Sequence, residues 1–291
     1  MNRIAFFTMD VETFGDTNCV KDSGIPIDDA YDGKEGFENY LALLDKNGIK
    51  ATLFLTGESA LKWQTEIAVA KNDGHELAVH ALIHESILDY DIDRFATSIV
   101  KMKDFMRKLF GVEACGYRAP CFGINDEKVS ELKKIGLLYD SSALNYKMAA
   151  GSGSVSLGEY DEINNVVYKK DAFFEIKPCV AKTGIGEIPI SGGAYMRLAP
   201  WWFIKSAIKR HIKEGKAYMF YVHPFELCTS DFSNTEELGF VNRMYVNRGR
   251  RKYLKRIEYI FSLLKKEGYR FSTISDYIKD INDKGENYGI R

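Results

Sequence analysis

The chain has 291 residues, of which 45% are hydrophobic, so it can bury a real core in one large α/β domain or two small ones. Its formal net charge of −1, with no block of basic residues, gives no electrostatic basis for nucleic-acid binding. Five cysteines, an odd number without a CxxC pair, indicate reduced thiols and argue against a disulfide framework.

The predicted elements alternate between short apolar runs and amphipathic segments. The strand-like runs, in chain order, are residues 3–9, 50–56, 75–80, 115–118 and 217–222. The segments with helical periodicity are residues 34–48, 58–72, 91–111, 125–136 and 250–268. Gly48 and Gly111 are placed to end their helices, and Asn125 is placed to cap the start of another.

This alternation predicts an α/β fold with a mainly parallel sheet and helices outside it. A barrel and an open doubly wound sheet both fit the pattern. We see no linker between domains and expect a single domain over residues 1–291. Residues 141–200 interrupt the alternation with glycine- and serine-rich stretches. We expect loops and short antiparallel strands there, inserted near the active face.

Two acids, Asp10 and Glu12, follow the first apolar run, in "FFTMDVETFGD". Alternate residues of a strand point to the same face, so both carboxylates can reach one site. Ligands of parallel α/β proteins bind at the C-terminal ends of the strands. The pair is therefore interpreted either as a metal ligand with a general base, or as a strand that gives way to a solvated loop.

A pair of histidines, His80 and His84, follows another strand in the sequence "HALIH". On a helical turn this spacing puts both imidazoles on one face, where they can chelate a divalent ion. Two surface histidines are the ordinary alternative. Of the remaining histidines, His75 is predicted to be structural and His211, in a basic helix, to lie on the surface.

Two more polar residues follow predicted strands. Arg118 precedes Ala-Pro in "YRAPCFG", where the chain cannot continue as a helix, and its guanidinium could orient a carboxylate through a two-pronged bond. His223 ends the apolar run of "MFYVHPFEL" and is placed for acid–base work. A surface arginine and a core histidine are the alternatives. All six polar residues nevertheless fall at the predicted C-terminal ends of strands.

The order of the motifs "TMDVE", "HALIH", "GYRAPCFGIND…GLLYDSSAL", "SGGAYMRLAP" and "FYVHPFEL" resembles the polysaccharide deacetylase family, the carbohydrate esterases with the NodB-homology domain. The resemblance covers residues 3–278 and is greatest to the cytoplasmic branch associated with exopolysaccharide and capsule clusters. It implies a deformed (β/α)7 barrel, a divalent metal, most often Zn²⁺, and hydrolysis of an N-acyl group, usually N-acetyl, from a sugar.

The resemblance also implies roles for individual residues. Asp10 matches the general base, Arg118 the arginine that positions it, and His223 the general acid. The implied metal ligands are Glu12, His80 and His84. Arg197 matches an arginine expected to bind substrate, and the backbone N–H of Cys121 is expected to assist as an oxyanion donor. In many members of the family the two opening acids are adjacent, whereas Val11 separates them here.

Other functions remain open at this stage. A deformylase or a cyclic-amide hydrolase of the same superfamily is one alternative, and a catalytically silent carbohydrate-binding protein is another. Metal content, a panel of N-formyl, N-acetyl and ureide substrates, and replacement of Asp10 would separate them.

The N-terminus has no long apolar stretch and no window approaches 18 apolar residues, so we expect a cytoplasmic protein. Its substrate is then expected to be an acylated amino sugar linked to a nucleotide or a lipid, with no nucleic-acid partner. The segment 197–213 sets Trp201 and Trp202 beside several lysines. It is interpreted either as a weak peripheral membrane contact or as an ordinary amphipathic barrel helix. The sequence does not define the oligomeric state.

Overall fold

The computed structural model describes residues 3–25, 32–144, 153–184, 186–232 and 235–288, with side chains described as far as residue 283. Residues 149–152 of the predicted glycine–serine stretch and residues 289–291 of the polar tail lie outside the described part of the chain.

The strands are β1 (Ile4–Val11), β2 (Thr52–Thr56), β3 (Glu76–Ala81), β4 (Gly116–Tyr117), β5 (Tyr139–Asp140), β6 (Asp161–Glu162), β7 (Val167–Lys170), β8 (Phe173–Ile176), β9 (Val180–Thr183), β10 (Gly186–Pro189), β11 (Tyr218–Val222) and β12 (Arg270–Phe271). The α-helices are α1 (Asn18–Lys21), α2 (Lys34–Asn47), α3 (Gly57–Lys62), α4 (Gln64–Asn72), α5 (Ile92–Phe110), α6 (Asp126–Lys134), α7 (Gly193–Leu198), α8 (Trp201–Lys213), α9 (Phe240–Asn247), α10 (Tyr253–Lys266) and α11 (Ile274–Tyr288).

The main sheet of the described chain has ten strands, in the order β11-β1-β2-β3-β4-β5-β8-β7-β6, with β12 paired to β1. All pairings from β11 to β8 are parallel, and so is that of β12. Helices α2 to α6 connect the successive parallel strands β1 to β5. The predicted α/β class is confirmed, and the sheet corresponds to a deformed barrel. No described pairing joins β11 to β6, so the sheet stays open between these two strands.

The helix ends follow the local sequence. Gly48 and Gly111 adopt the left-handed conformation, with φ of 63° and 64°, and end α2 and α5 as predicted. The Asn125 side chain accepts a hydrogen bond from the Lys128 N–H and caps α6. The single helix predicted at 58–72 is instead two, α3 and α4, separated at the buried Trp63.

The core surrounds the central strands. All eight residues of β1 are buried, as expected for a parallel strand covered on both faces. Phe7 illustrates the packing, since its ring meets Phe220 of β11 and Phe261 of α10 with centroids 5.3 and 4.6 Å apart. The rigid centre of the sheet thereby fixes the ends of β1 and β11.

The interruption at 141–200 has the expected character. Strands β6 and β7, then β7 and β8, pair antiparallel, and β9 and β10 form a separate antiparallel pair. Strand β8 also pairs parallel to β5, so the insertion extends the main sheet rather than lying apart from it.

Two further findings concern residues named from the sequence. His75 is structural as predicted, because its Nδ1 accepts the Ala51 N–H at 3.0 Å. The surface position predicted for His211 is wrong: its side chain is buried and its Nε2 lies 2.9 Å from the Ala217 carbonyl oxygen. Among the helices of the described chain, none combines the length and the apolar character that crossing a membrane requires.

Candidate active site

A cavity of about 400 Å³ opens at the C-terminal edge of the parallel strands. The predicted residues that line it are Asp10, Glu12, His80, His84, Cys121 and His223. Each comes from the end of a strand or the loop that follows it, and parallel pairing brings these ends to one edge of the sheet. The convergence predicted from the sequence is therefore present in the fold.

Three buried side chains form one cluster in this cavity. The donor atoms of Glu12, His80 and His84 all lie within 4.8 Å of one another. The Glu12 Oε2 is 2.9 Å from Nε2 of His84 and 3.9 Å from Nε2 of His80. The His80 Nδ1 lies 2.7 Å from the carbonyl oxygen of Arg118, which fixes that nitrogen as the donor and leaves Nε2 as a lone-pair ligand.

The two histidines converge by a different route from the predicted helical turn. His80 is in β3, one residue before its end, and His84 lies in the irregular loop that follows. Lys21 helps to hold this loop, since its Nζ donates to the His84 carbonyl oxygen at 2.6 Å. The spacing is compatible with chelation because the loop turns back across the strand end.

Asp10 is held by a buried arginine. Nη1 of Arg118 donates to the Asp10 Oδ1 at 2.5 Å and to the Thr8 hydroxyl at 2.9 Å. The remaining guanidinium nitrogens donate to Ser141, at its carbonyl oxygen and its hydroxyl. The Arg118 side chain is fully buried and contacts the Asp10 carboxylate, but through one nitrogen and one oxygen; the predicted two-pronged bond is wrong, because the other nitrogens bind Ser141. The second Asp10 oxygen, Oδ2, lies on the side of His223.

His223 lies across the cavity from the histidine pair and is oriented by Glu226, which the sequence reasoning missed. Its Nδ1 is 3.1 Å from the Glu226 Oε2, and its Nε2 is 3.7 Å from the Asp10 Oδ2. Glu226 is in turn paired with Arg197, whose Nε lies 3.0 Å from Oε1. The signal available in the sequence was the H-P-x-E spacing, which puts an acid three residues after the histidine.

Arg197 lies outside the site cavity, and its predicted contact with substrate stays a prediction. Its side chain is buried, it does not line the site cavity, and its Nη1 donates to the Arg248 carbonyl oxygen at 2.6 Å. The direct partner of this guanidinium is Glu226. Cys121 does line the cavity. Its backbone φ is 55°, in the left-handed region that residues other than glycine rarely adopt. Its assistance as an oxyanion donor stays a prediction.

The charges of the site are coupled. Burial works to raise the pKa of Glu12, but His84 and His223 outweigh it and hold the pKa at about 2. Burial lowers the pKa of His80 to about 4. For His84 burial also acts to lower the pKa, yet the Glu12 carboxylate prevails and raises it. Burial is likewise outweighed at His223, where Glu12, Glu226 and Asp10 raise the pKa to about 9.

The Glu12, His80 and His84 cluster fits a divalent cation. One carboxylate oxygen and two imidazole nitrogens are ligands that Zn²⁺ takes in catalytic sites, with positions left for other ligands. The neutral state of His80 suits a ligand, and the Nδ1 of His84 is buried without a hydrogen-bond partner among the described residues. Within the described chain this is the group of acidic, histidine or cysteine side chains that could hold an ion.

Other parts of the cavity wall were not predicted from the sequence. They come from the segment after β1, from α7 and from α9, and the residues are Thr17, Cys19, Tyr195, Val241, Asn242 and Tyr245. The segment after β1 and α7 belong to motifs named from the sequence, but the contribution of these particular residues, and of α9, to the cavity wall depends on tertiary packing.

Comparison with known families finds two matches along the chain. Residues 16–139 match the polysaccharide deacetylase family, and residues 154–279 match a domain of unknown function, DUF3473. Strands β2 to β5 belong to the first region and β6 to β12 to the second, yet most of them form one sheet.

A curated relative is also similar to this chain. The chain is 26% identical over 197 residues to a peptidoglycan deacetylase-like protein of Gibberella zeae, covering 67% of this chain and 56% of that protein. It spans under 60% of the length of the first curated relatives that it matches.

Two solved structures share the fold. A provisionally assigned polysaccharide deacetylase from Mycobacterium smegmatis has a TM-score of 0.61 at 17% identity, covering 97% of this chain and 91% of that one. A pseudoenzyme of carbohydrate esterase family 4 from Bacillus anthracis has a TM-score of 0.53 at 12% identity, covering 95% of this chain and 66% of that one. Because the second is described as a pseudoenzyme, the fold alone does not carry activity.

Proposed function

This chain belongs to the polysaccharide deacetylase family, and we propose that it hydrolyses an N-acyl group, most simply N-acetyl, from a sugar or saccharide precursor. The products would be a free amine and a carboxylate. We further propose that the reaction depends on a divalent cation, Zn²⁺ by its ligand preference, held by Glu12, His80 and His84.

One observation supports this function above the others. The Glu12, His80 and His84 cluster, the arginine-held Asp10 and the glutamate-held His223 face the same cavity. Hydrolysis of an amide needs an activated water, stabilisation of the negative charge that develops on the carbonyl oxygen, and protonation of a poor leaving group. A protein that only binds carbohydrate has no need for this combination.

The cation would polarise the amide carbonyl and lower the pKa of a water molecule, which is the chemistry that such ions supply. On the protein side, Asp10 is the general base. Arg118 keeps its Oδ1 in place, so Oδ2 is the oxygen that can accept a proton on the side facing His223. A base held by a buried guanidinium keeps one geometry, as general base catalysis requires.

His223 is the general acid. Glu226 fixes its Nδ1, so Nε2 faces Asp10 and can donate a proton to the departing amine. Its raised pKa keeps the imidazole protonated near neutral pH before the reaction. Asp10 and His223 would thus hold opposite proton-transfer roles at neighbouring positions of the cavity.

Replacing Asp10 tests the proposal directly. Asp10→Asn should keep the fold and the bound metal but lower the release of acetate from N-acetylated sugars by roughly 10²–10⁴-fold, the range for a lost general base. Chromatographic detection of the amine product and elemental analysis of the same samples provide the two readouts.

Asp22→Asn, at an exposed position, is the matched control and should keep full activity. If the wild-type protein, loaded with metal, bound acetylated sugars without ever releasing an amine, it would be a silent binding protein and the proposal would be wrong. Release of formate or opening of a cyclic ureide in place of acetate release would move it to another reaction of the superfamily.

We also propose that the substrate is nucleotide-linked or lipid-linked and that the protein acts in the cytoplasm. Cell fractionation tests the location. A weak peripheral contact with membranes stays a prediction: Ile204 and Ile208 of α8 are buried, whereas the Trp202 side chain is 75% exposed. Flotation with anionic liposomes, comparing the wild type with Trp202→Ala, measures that contact.

A further inference from the structure

A second cavity, which we name the basic cleft, lies on the far side of α7 and α9 from the active site. It has a volume of about 690 Å³. The two cavities share both helices as walls. In α7, Tyr195 lines the active site and Arg197 the cleft; in α9, Tyr245 lines the active site and Asn247 the cleft. With a rise of about 1.5 Å per helical residue, the two cavities are close neighbours.

The cleft concentrates positive charge in a protein whose net charge is −1. Its basic lining residues are Arg197, Arg248, Arg250, Arg251, Lys252 and Arg256. The acid among the lining residues is Asp231, which is exposed and lies within 3.6 Å of Arg250 and 3.3 Å of Arg251. Exposed ion pairs of this kind are weak. The charge of the cleft therefore remains largely uncompensated, although Arg197 has Glu226 behind it.

Two helix N-termini add to this potential. Helix α8 begins beside Pro200, and α10 follows the short 3-10 helix Arg250–Lys252; both starts line the cleft. Neither helix has an acidic residue in its first turn or a side chain that caps its start. The N-terminal ends of helices carry partial positive charge, which suits phosphate oxygens, although at α10 the Tyr253 N–H already donates to the Arg250 carbonyl oxygen.

Buried donors in the same wall lack partners. The Nη2 of Arg197 and the Nε of Arg250 are both buried and have no hydrogen-bond partner among the described residues. Both side chains are at least nine-tenths buried. Buried donors are rarely left unsatisfied, and such atoms are typical of a place where a bound ion or water is expected.

We propose that the basic cleft binds a diphosphate group. Guanidinium groups bind phosphate oxygens in pairs, and cations on several sides with two helix starts match a ligand of several charges better than a single carboxylate. A sugar activated through a diphosphate would present this group next to the acylated ring. That choice of carrier rests on the proposed function, whereas diphosphate binding itself does not.

Calorimetric titration of the full chain with inorganic pyrophosphate tests the site without any need for catalysis. We expect one binding site at low salt and weaker binding as salt rises, because phosphate contacts are electrostatic. The double variant Arg251→Ala/Lys252→Ala, at two exposed positions, should weaken binding at least about tenfold, as losing two phosphate-facing charges predicts.

The matched control removes two exposed lysines from the body of α8, outside the cleft lining: Lys209→Ala/Lys213→Ala should stay within about twofold of the wild type, since screening weakens distant charges. An equal loss in both variants would reduce the effect to net charge and overturn the proposal, as would the absence of pyrophosphate binding at low salt. Asp10→Asn should bind normally. Failure of the deacetylase proposal would leave this binding intact, and failure of the cleft would leave hydrolysis of an uncharged acetylated oligosaccharide intact.

Two further arms separate the sources of the diphosphate. Competition by uridine diphosphate would support a nucleotide-linked ligand, and competition by vesicles that contain a polyprenyl diphosphate would support a lipid-linked one. Vesicles of phosphatidylglycerol provide the surface control. If they displaced pyrophosphate as well as the polyprenyl diphosphate vesicles did, and uridine diphosphate did not, the cleft would be a general anionic-surface contact and the proposal would be wrong.

Discussion

Two buried arginines flank the active site, and they differ in what stands between the guanidinium and the cavity. Arg118 binds Asp10 directly, and this carboxylate itself lines the cavity. Arg197 binds Glu226, which binds His223, so the group that reaches the cavity is an imidazole. We call the first arrangement the Arg118–Asp10 pair and the second the Arg197–Glu226–His223 chain.

The difference shows two uses of a buried arginine–carboxylate ion pair. In the Arg118–Asp10 pair, the arginine orients a carboxylate that would accept a proton in the proposed reaction. In the Arg197–Glu226–His223 chain, Glu226 orients an imidazole whose pKa Glu12 and Glu226 raise, and this imidazole would donate a proton in the proposed reaction. The pKa of Glu226 itself is lowered, since His223 and Arg197 outweigh its burial. In the proposed reaction the first arrangement orients the base, Asp10, and the second both orients the acid, His223, and keeps it protonated.

The largest expected effect comes from removing the cation on which both arrangements would act. His84→Ala should lose the bound metal and reduce activity by roughly 10³-fold or more, because such an ion contributes several kcal/mol to the transition state. Elemental analysis and acetate release measure the two losses. His75→Gln, a change of a buried histidine at the other end of β3, should keep the metal. Full activity of exhaustively chelated protein would contradict a metal-dependent reaction.

Replacing the acid itself should break only one side of the comparison. His223→Ala should retain the metal, because His223 is not in the Glu12, His80 and His84 cluster, and should lower the rate by roughly 10²–10⁴-fold. The loss should be greatest for substrates with the poorest leaving groups. In the wild type the rate should fall as pH rises through the pKa of His223, since the protonated imidazole is the acid. An alkaline limb that survives in the variant would assign the acid to another group.

A smaller effect is expected from a change of Glu226 in the Arg197–Glu226–His223 chain. Glu226→Gln keeps the shape but removes one of the charges that raise the pKa of His223, while Glu12 and Asp10 remain. The alkaline limb should therefore shift to lower pH, and the rate near neutral pH should fall by roughly 10–100-fold, as for other orienting groups. The exposed Glu236→Gln serves as control. A rate loss without any shift of the limb would indicate a purely structural role for Glu226.

The base side could be predicted from the sequence because its residues obey short-range rules. Asp10 and Glu12 follow a strand, and Arg118 cannot lie in a helix before Ala-Pro, so each is assigned to a strand end without knowledge of the tertiary structure. Parallel pairing then brings the ends together. The helix ends at Gly48 and Gly111 were predictable for the same reason. A helix often ends at a residue with left-handed backbone, which glycine adopts most easily whatever the tertiary structure around it.

The acid side was harder because its contacts are not local. Arg197 and Glu226 are 29 positions apart in the sequence, with α8 and β11 between them, and no periodicity indicates that their side chains meet. Arg197 was assigned to substrate from its motif, and its contact with Glu226 was not predicted. His211 shows the same limit: a basic segment indicated a surface residue, but the imidazole reaches the Ala217 carbonyl.

A pair of buried acids elsewhere in the sheet sharpens the comparison, because no arginine is bound to either of them. Asp140 and Glu175 are fully buried on β5 and β8, and neither forms an ion pair among the described residues. Backbone N–H groups of Ser142 and Ala143 donate to the Glu175 Oε1. Burial raises the pKa of Asp140 to about 6, and burial with the Asp140 charge raises the pKa of Glu175 further. The pair therefore holds a proton more readily than separate, exposed acids would.

This pair predicts the smallest effect, on stability rather than on catalysis. Because both acids have a higher pKa in the folded protein than in the unfolded chain, folding binds protons, and the free energy of unfolding should fall as pH rises from about 4, near the pKa of unfolded acids, through the Asp140 pKa of about 6 and beyond. Glu175→Gln keeps the Oε1 acceptor and mimics the protonated acid. It should flatten that slope and raise the free energy of unfolding at pH values above the pKa of Asp140, where the wild type has to release its proton. Urea unfolding at several pH values measures this, with the exposed Glu187→Gln as control. An unchanged slope would mean that Glu175 is already ionised in the folded protein.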